Sequence, residues 1–335
     1  MLRVFVTHNP EDLAAYYGRA LPELSRLVEV VPNPQPRDLT TVELVAAAAD
    51  CDVIVSHRST PGAAELFAGS PRLLAFLRCA VDISDVDVDA ASSAGVLVAR
   101  ADKSFVPSTA ELALALMLDV SRNVSLSTHD YASGRLPPQR QGRQLRGQTA
   151  GIIGFGAVGS YLADLLAGIG MNVVVYDPCV ELASSRFEMV SLGILLQAAD
   201  FVLPLAPANE STRDLIGAPE LAMMKPTAIL INVSRGELVD EDAVAAALDG
   251  GKLGGLGMDV GWAADQRPTP SLAGRPGVVA TPHLGGLTPE NADAQAASSV
   301  AQIEAMLAHE MPPRAVNPEA ATRLRSWWAA EANAQ

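Results

Sequence analysis

The sequence predicts an α/β protein with parallel sheets in two domains. Three observations carry this. Short apolar runs alternate with helical stretches along nearly the whole chain, the pattern of strand–helix–strand units. The runs are dense in Val, Ile and Leu without polar alternation, as strands covered on both faces require. The length, 335 residues, corresponds to about two domains of ordinary size.

Strands are expected at residues 3–7, 28–31, 52–56, 74–79 and 96–99, then at 149–154, 172–177, 201–205, 228–233, 256–260 and 278–281. The first begins almost at Met1, so no apolar leader of the signal-peptide type is read there. Helices fall between the strands, for example at 61–67, 158–167 and 241–248. Residues 108 to about 128 read as one long helix, with Glu111 near its start. At about 30 Å it would be long enough to bridge two domains. The polar stretch 133–142, broken by Gly134, Pro137, Pro138 and Gly142, reads as an exposed loop. From Pro318 onward a short helix with Trp327 and Trp328 reads as a docking tail, packed on its own chain or on a sister subunit.

Composition narrows the function. Apolar residues make up 49% and charged residues 19%, so packed cores form and wholesale disorder is excluded. Aromatics are only 4%, so the cores are aliphatic. The formal charge is −14, from 24 basic and 38 acidic residues. Nucleic acid and anionic membranes are therefore not expected as partners, since both need a basic face. No apolar run reaches the ~18 residues of a membrane span. A small anionic substrate needs only a local basic pocket and stays open. Cys51, Cys79 and Cys179 are odd in number and lack CxxC spacing, so neither a disulfide framework nor a metal site is expected. A reducing cytoplasm is the expected setting.

The strongest motif is Gly151-Ile152-Ile153-Gly154-Phe155-Gly156-Ala157-Val158-Gly159. It follows an apolar strand, opens a helix, and is followed by a second strand closed by Asp177. This is the context a dinucleotide-binding GxGxxG motif requires. Gly154 permits the tight turn, Gly156 the approach of backbone to a pyrophosphate, and Gly159 close packing of helix on strand. Ala157 and Val158 belong to the helix start, whose N–H groups and positive dipole end suit phosphate. Asp177 would accept hydrogen bonds from the adenosine ribose and repel a 2′-phosphate, which favours NAD over NADP. Taken alone, Asp177 also reads as a plain strand-end turn residue.

Further pieces accumulate: Leu145-Arg146-Gly147-Gln148-Thr149, Met224-Lys225-Pro226, Ile231-Asn232-Val233-Ser234-Arg235-Gly236-Glu237-Leu238-Val239-Asp240-Glu241, Gly257-Met258-Asp259-Val260 and Thr281-Pro282-His283-Leu284-Gly285-Gly286-Leu287-Thr288. Together with the fingerprint they resemble the D-isomer-specific 2-hydroxyacid dehydrogenase family of the phosphoglycerate dehydrogenase type. The resemblance covers nearly the whole chain and is clearest over residues 145–289. It implies two Rossmann-like, doubly wound parallel-sheet domains with cofactor and substrate in the cleft between them. The cofactor domain, residues 101–289, is inserted in a split substrate domain, residues 1–100 and 290–335. It also implies hydride transfer between NAD and a D-2-hydroxy or 2-keto acid, and a homodimer.

Such chemistry needs a cation on the substrate carboxylate and carbonyl, a proton donor/acceptor near neutrality and an oriented nicotinamide. Arg235 follows a buried-looking strand, and its planar fork suits a carboxylate. Of five histidines, only His283 is embedded in such a motif, and an imidazole is a natural acid/base near neutral pH. The resemblance assigns these two roles to Arg235 and His283. It places Asp259 at the nicotinamide amide, Pro207 at the adenine side, and the backbone of Val233 and Ser234 at the nicotinamide ribose. Gly285 and Gly286 fall on the cofactor side as well.

Two departures stand out. The family pairs its catalytic His with a Glu five residues beyond the Asp of the G-x-D-V strand. Here the gap-free match is Ala264, and Asp265 lies one residue on. Asp265 either supports His283 or is a solvated loop acid. The family's Gly-x-Gly-x-Asp-Asn loop, which holds the substrate carboxylate, reads Arg78-Cys79-Ala80-Val81-Asp82-Ile83-Ser84-Asp85. Its glycines are gone, which leaves Ala80 as the backbone contact. Arg58, Arg78 and Arg100 fall at strand ends or loops and are candidates for a second substrate anion, phosphoglycerate-like. Cys79 reads as an inert buried thiol or a redox sensor. The competing function is an NAD-binding sensor or corepressor-like scaffold with little turnover, which the two departures favour and the intact Arg235 and His283 oppose.

Overall fold

The first five strands form one parallel sheet. They are β1 (Arg3–Val6), β2 (Glu29–Pro32), β3 (Val53–Ser56), β4 (Ala75–Arg78) and β5 (Leu97–Arg100), in the order β2-β1-β3-β4-β5. The computed structural model describes residues 1–180 and 187–333. Successive side chains of a strand point to opposite faces, and both faces here are covered. Val4, Val6, Val53, Val55, Ala75, Leu77, Leu97 and Ala99 pack on one side with Tyr17, Leu24, Val300, Ile303 and Met306. Phe5, Ile54, Phe76 and Val98 pack on the other with Leu44, Leu66, Phe67 and Ala91. Double coverage explains why these strands read as unbroken apolar runs.

The helix Pro289–Leu307 belongs to this first unit, which consists of Met1–Ser104 and Pro289–Gln335. Its Ser299 Oγ lies 2.6 Å from the buried Tyr17 hydroxyl. The tail helix Thr322–Ala332 docks on its own chain. Trp327 and Trp328 pack against the first core, and the Trp328 indole N–H donates to the Met306 carbonyl at 2.8 Å.

The second unit, Phe105–Thr288, holds a seven-stranded parallel sheet. Its strands are β6 (Thr149–Ile153), β7 (Asn172–Tyr176), β8 (Glu188–Met189), β9 (Phe201–Pro204), β10 (Ile229–Asn232), β11 (Gly255–Met258) and β12 (Val278–Ala280). The order is β12-β11-β10-β9-β6-β7-β8. The chain starts at β6, winds outward through β7 and β8, then returns to β9 and winds the other way. The switch between β6 and β9 opens the crevice where parallel α/β sheets bind ligands, at the carboxyl ends of the strands. The edge strand β8 is absent from the expected set, because its two residues carry no periodicity to read.

The expected long helix is two helices. Val106–Arg122 ends at Asn123, which adopts a left-handed conformation (φ 54°, ψ 41°), and Val124–Ala132 begins directly after it. Asn is among the few L residues that tolerate this geometry. The Asp119 carboxylate accepts the Ser125 N–H at 2.8 Å and so caps the second helix. Ala110, Ala113, Leu116 and Met117 of the first helix pack with Ile152, Leu162, Ile229 and Ile231 of the same unit. Among the described residues no helix is long and apolar enough to cross a membrane.

Candidate active site

The turn after β6 is built by glycines. Gly154 has φ +99°, and a Cβ there would stand 2.6 Å from the Ala206 nitrogen. At Gly159 a Cβ would stand 2.1 Å from the Gly154 carbonyl oxygen, so only glycine lets the helix Ala157–Gly168 start this close to the strand. Gly156 differs: among the described residues a Cβ there would meet nothing within 4 Å. It is exposed and caps the helix without a side-chain hydrogen bond. The opening N–H groups of that helix, from Ala157 and Val158 on, are thus bordered by open space rather than by a capping side chain. Backbone donors beside open space fit a diphosphate. Asp177 follows β7, half-buried, and accepts the Phe155 N–H at 2.7 Å and the Cys179 N–H at 2.8 Å. A carboxylate offers about four acceptor sites, so these two bonds leave capacity for a ribose diol. Pro207 is exposed after β9, and its carbonyl accepts the Thr212 hydroxyl at 2.7 Å.

Asn232 shapes the loop after β10. It is 3% exposed, its amide donates to the Arg235 carbonyl at 2.8 Å, and its side-chain oxygen accepts the Ser234 N–H at 3.1 Å. A buried polar residue closing an all-apolar strand demands partners, and this signal was present in the sequence without a role attached. Val233 is buried, and the Ser234 hydroxyl donates to the Ala206 carbonyl at 3.2 Å. Arg235 is half-buried and its guanidinium donates to the Ser234 carbonyl at 2.9 Å.

The loops after β11 and β12 are interlocked. Asp259 is 0% exposed. Its carboxylate accepts from the Thr281 hydroxyl at 2.6 Å, the Leu284 N–H at 2.7 Å and the Gly285 N–H at 2.8 Å. The Asp259 side chain is thus enclosed and holds the His283 loop. The Gly285 carbonyl accepts the Thr109 hydroxyl at 3.1 Å, and Gly286 beside it is half-buried. His283 itself is left-handed, with φ 62°. Its N–H donates to the Asp259 carbonyl at 2.9 Å, and its Nδ1 lies 2.9 Å from the Asp265 carbonyl oxygen. Asp265 thus meets the His283 ring through its backbone carbonyl. The carboxylate pairs with Arg267 at 3.7 Å, with both side chains more than half exposed.

In the sheet order these residues form a series along one edge. Asp177 follows β7, Gly154–Gly159 follow β6, Pro207 follows β9, Ser234 and Arg235 follow β10, Asp259 follows β11 and His283 follows β12. Six neighbouring strands span about 24 Å at the usual spacing. Phosphate-type donors thus stand at one end of the series, and a cation and an imidazole at the other.

The arginines of the first unit have different fates. Arg58 is exposed after β3, and Arg100, half-buried, ends β5. Ala80 is half-buried after β4, and its carbonyl accepts the Ala101 N–H at 3.1 Å. Arg78 lies between Ser56 and Arg100 in the register, but its side chain is 0% exposed. It donates to the His57 carbonyl at 2.5 Å and to Asp85 at 2.6 Å. The expected substrate contact of Arg78 is corrected to an internal tie between the loops after β3 and β4. Burial pushes the Cys79 thiol up to about 12, which makes it inert rather than redox-sensing. Asp12, Asp38 and His57 bring one potential ligating atom each within 4.8 Å. Hydrogen bonding accounts for part of this cluster: Ser59 Oγ donates to Asp38 at 2.5 Å and lies 2.6 Å from His57 Nδ1.

A model of the D-isomer-specific 2-hydroxyacid dehydrogenase NAD-binding domain matches residues 114–285, more than half of the chain. The chain belongs to this family. It is 37% identical over 283 residues to D-3-phosphoglycerate dehydrogenase of Mycobacterium tuberculosis (strain ATCC 25618 / H37Rv), covering 82% of this chain and 53% of that protein. It thus spans about half the length of that relative. It is 31% identical over 321 residues to glyoxylate reductase of Thermococcus gammatolerans, covering 91% and 96%. The crystal structure of TT0316 protein from Thermus thermophilus superposes with a TM-score of 0.83 at 29% identity, covering 94% of this chain and all of that one. The strand-edge series lies within the segment that the NAD-binding-domain model matches, and the open space at Gly156 fits a dinucleotide. The family's dyad position is occupied differently here. Ala264 cannot carry a proton partner, and the adjoining residue meets His283 through its main chain.

Proposed function

We propose that the protein transfers a hydride between NAD and a D-2-hydroxy or 2-keto acid. The single observation that carries this is the strand-edge series, which sets a dinucleotide cradle, Arg235 and His283 on the carboxyl edge of one sheet. NAD supplies or accepts the hydride when bound. The Gly154–Gly159 turn holds its phosphates and Asp177 its ribose, which favours NAD over NADP. Arg235 binds the substrate carboxylate and polarises the carbonyl, since a guanidinium matches carboxylate geometry and stabilises charge developing on oxygen. His283 passes a proton to or from that oxygen. A carbonyl cannot donate, so the contact with Asp265 places the Nδ1 hydrogen there and leaves Nε2 to the substrate.

Arg58 and Arg100 are the cations we assign to a second anionic group on the substrate, with Arg78 excluded by its burial. The names of the relatives, a dehydrogenase and a reductase, support turnover over the scaffold reading. Assembly as a homodimer is part of the proposal. The test is oxidation of NADH by the wild-type chain on a panel of 2-keto acids, with and without a second anion, followed by absorbance. At least one acid should be reduced, and His283→Ala should lower kcat about 100-fold or more, as loss of an acid/base does. NADH binding without oxidation on every acid, or an intact kcat in His283→Ala, would overturn the mechanism.

A further inference from the structure

We propose that the backbone carbonyl of Asp265, aimed by two successive left-handed residues, is the group that orients the His283 imidazole. The proposal rests on the reading of His283 as the proton-transfer residue. It names Asp265 as a positioning residue that acts through its conformation and not through its charge.

The geometry leads there in steps. His283 Nδ1 lies 2.9 Å from the Asp265 carbonyl oxygen. That oxygen carries no proton, so the bond exists only with hydrogen on Nδ1, and the neutral ring then has its lone pair at Nε2. The direction of a carbonyl is set by the dihedral angles around it. Asp265 has φ 58° and ψ 32°, and Gln266 has φ 52°. Both lie in the left-handed region that most L residues avoid. The surrounding loop holds them there: the Gly261 N–H donates to the Gln266 carbonyl at 2.9 Å and the Ala263 N–H to the Arg267 carbonyl at 3.0 Å. Asp is better suited than most residues to such a position, because its short polar side chain tolerates it.

The other end of His283 is fixed as well. Its N–H donates to the Asp259 carbonyl, and the buried Asp259 carboxylate holds the next two N–H groups. Backbone and ring nitrogen together determine where Nε2 points. No carboxylate is required for this, which accounts for an active His beside Ala264 in a family that places Glu there.

The requirement at position 265 is therefore tolerance of positive φ. Gly and Asn satisfy it, whereas a β-branched Val does not. The test compares Asp265→Gly, Asp265→Asn and Asp265→Val in the full-length chain. The first readout is the ¹⁵N shifts of the His283 ring in the ligand-free protein, recorded with the ring neutral. Asp265→Gly and Asp265→Asn should keep the Nδ1–H tautomer of the wild type, and Asp265→Val should lose it. The second is turnover: kcat of Asp265→Gly should exceed that of Asp265→Val by about tenfold or more, the scale of a misplaced acid/base. NADH affinity should be the same in both.

Loss of the tautomer in both the Gly and the Asn variants, with the fold intact by circular dichroism, would show that the carboxylate is what matters and overturn the proposal. So would retention of the tautomer in a folded Val variant. If the Val variant does not fold, the other two still decide. If the wild type reduces no acid at all, the functional reading fails, and the ring shifts still judge this proposal on their own.

Discussion

Arg58 and Arg78 stand one strand apart and differ in burial: Arg58 is exposed and the Arg78 side chain is enclosed. A buried cation survives only when paired and hydrogen-bonded. Arg78 meets this condition through Asp85 and the His57 carbonyl, and it also lies over the Phe76 ring at 5.7 Å. Replacing it with Met removes the tie between two loops. The cost should be about 2 kcal/mol in urea unfolding, less than for a fully enclosed pair, because the Asp85 side chain keeps 40% exposure and can be solvated. Arg58→Gln should leave the unfolding midpoint unchanged and raise KM about tenfold for a substrate with a second anion, the effect of one charged hydrogen bond. A raised KM in Arg78→Met at unchanged stability would restore the substrate role. No residue-type pattern separates these two arginines. The difference lies in Asp85, seven positions beyond Arg78, and in the turn that brings it back.

At the scale of elements, the break at Asn123 is the instructive case. Propensity runs through residues 108–128 without a stop, and an Asn between two helical stretches is not decisive by itself. The structure stops the first helix there because Asn123 takes φ 54° and Asp119 caps the next helix. Asn123→Ala should cost about 1 kcal/mol, since Ala lacks the short polar side chain that lets Asn tolerate the left-handed region, and Asn123→Gly should cost less than half of that. Equal denaturation midpoints for the two variants would count against the capped break. The strands were more legible, because burial on both faces leaves an apolar run no alternative. The glycine turn was legible for a related reason: at Gly154 and Gly159 the missing side chain is itself the requirement. Asp259 and Asp265 were not, since what they do depends on main-chain atoms common to every residue and on partners brought in by other loops.

At the scale of the molecule, the two units should respond to acid over different pH ranges. His8 in the first unit is 0% exposed, stacks on Tyr17 at 4.1 Å, and finds no hydrogen-bond partner for either ring nitrogen among the described residues. Burial, and secondarily His57, lowers its pKa from 6.5 to about 2. The unfolded chain therefore takes up a proton below about pH 6.5 that the folded unit refuses, and by linkage stability falls with pH from there toward 2. One such group costs about 3 kcal/mol at about pH 4.5. His57, lowered mainly by burial against the pull of Asp12 and Asp38, adds in the same direction. In the second unit Asp130 is lowered mainly by its hydrogen bond with Arg135, and Asp200 is raised by burial but lowered further by Lys225 and the Thr149 N–H, for a net depression below 3.8. Its stabilisation is lost only below that value. Between about pH 6.5 and 4.5 the first unit should thus weaken through its histidines before Asp200 begins to titrate. Hydrogen exchange resolved by peptide should show protection falling first in β1 and β3 and later in β6 and β9. Replacing His8 with Phe keeps the ring stack and removes the titrating group. This variant should be at least as stable as wild type at neutral pH and should flatten the acid limb of the first unit by most of that 3 kcal/mol or so. An unchanged acid limb in His8→Phe would assign the effect to His57 or to the carboxylates instead.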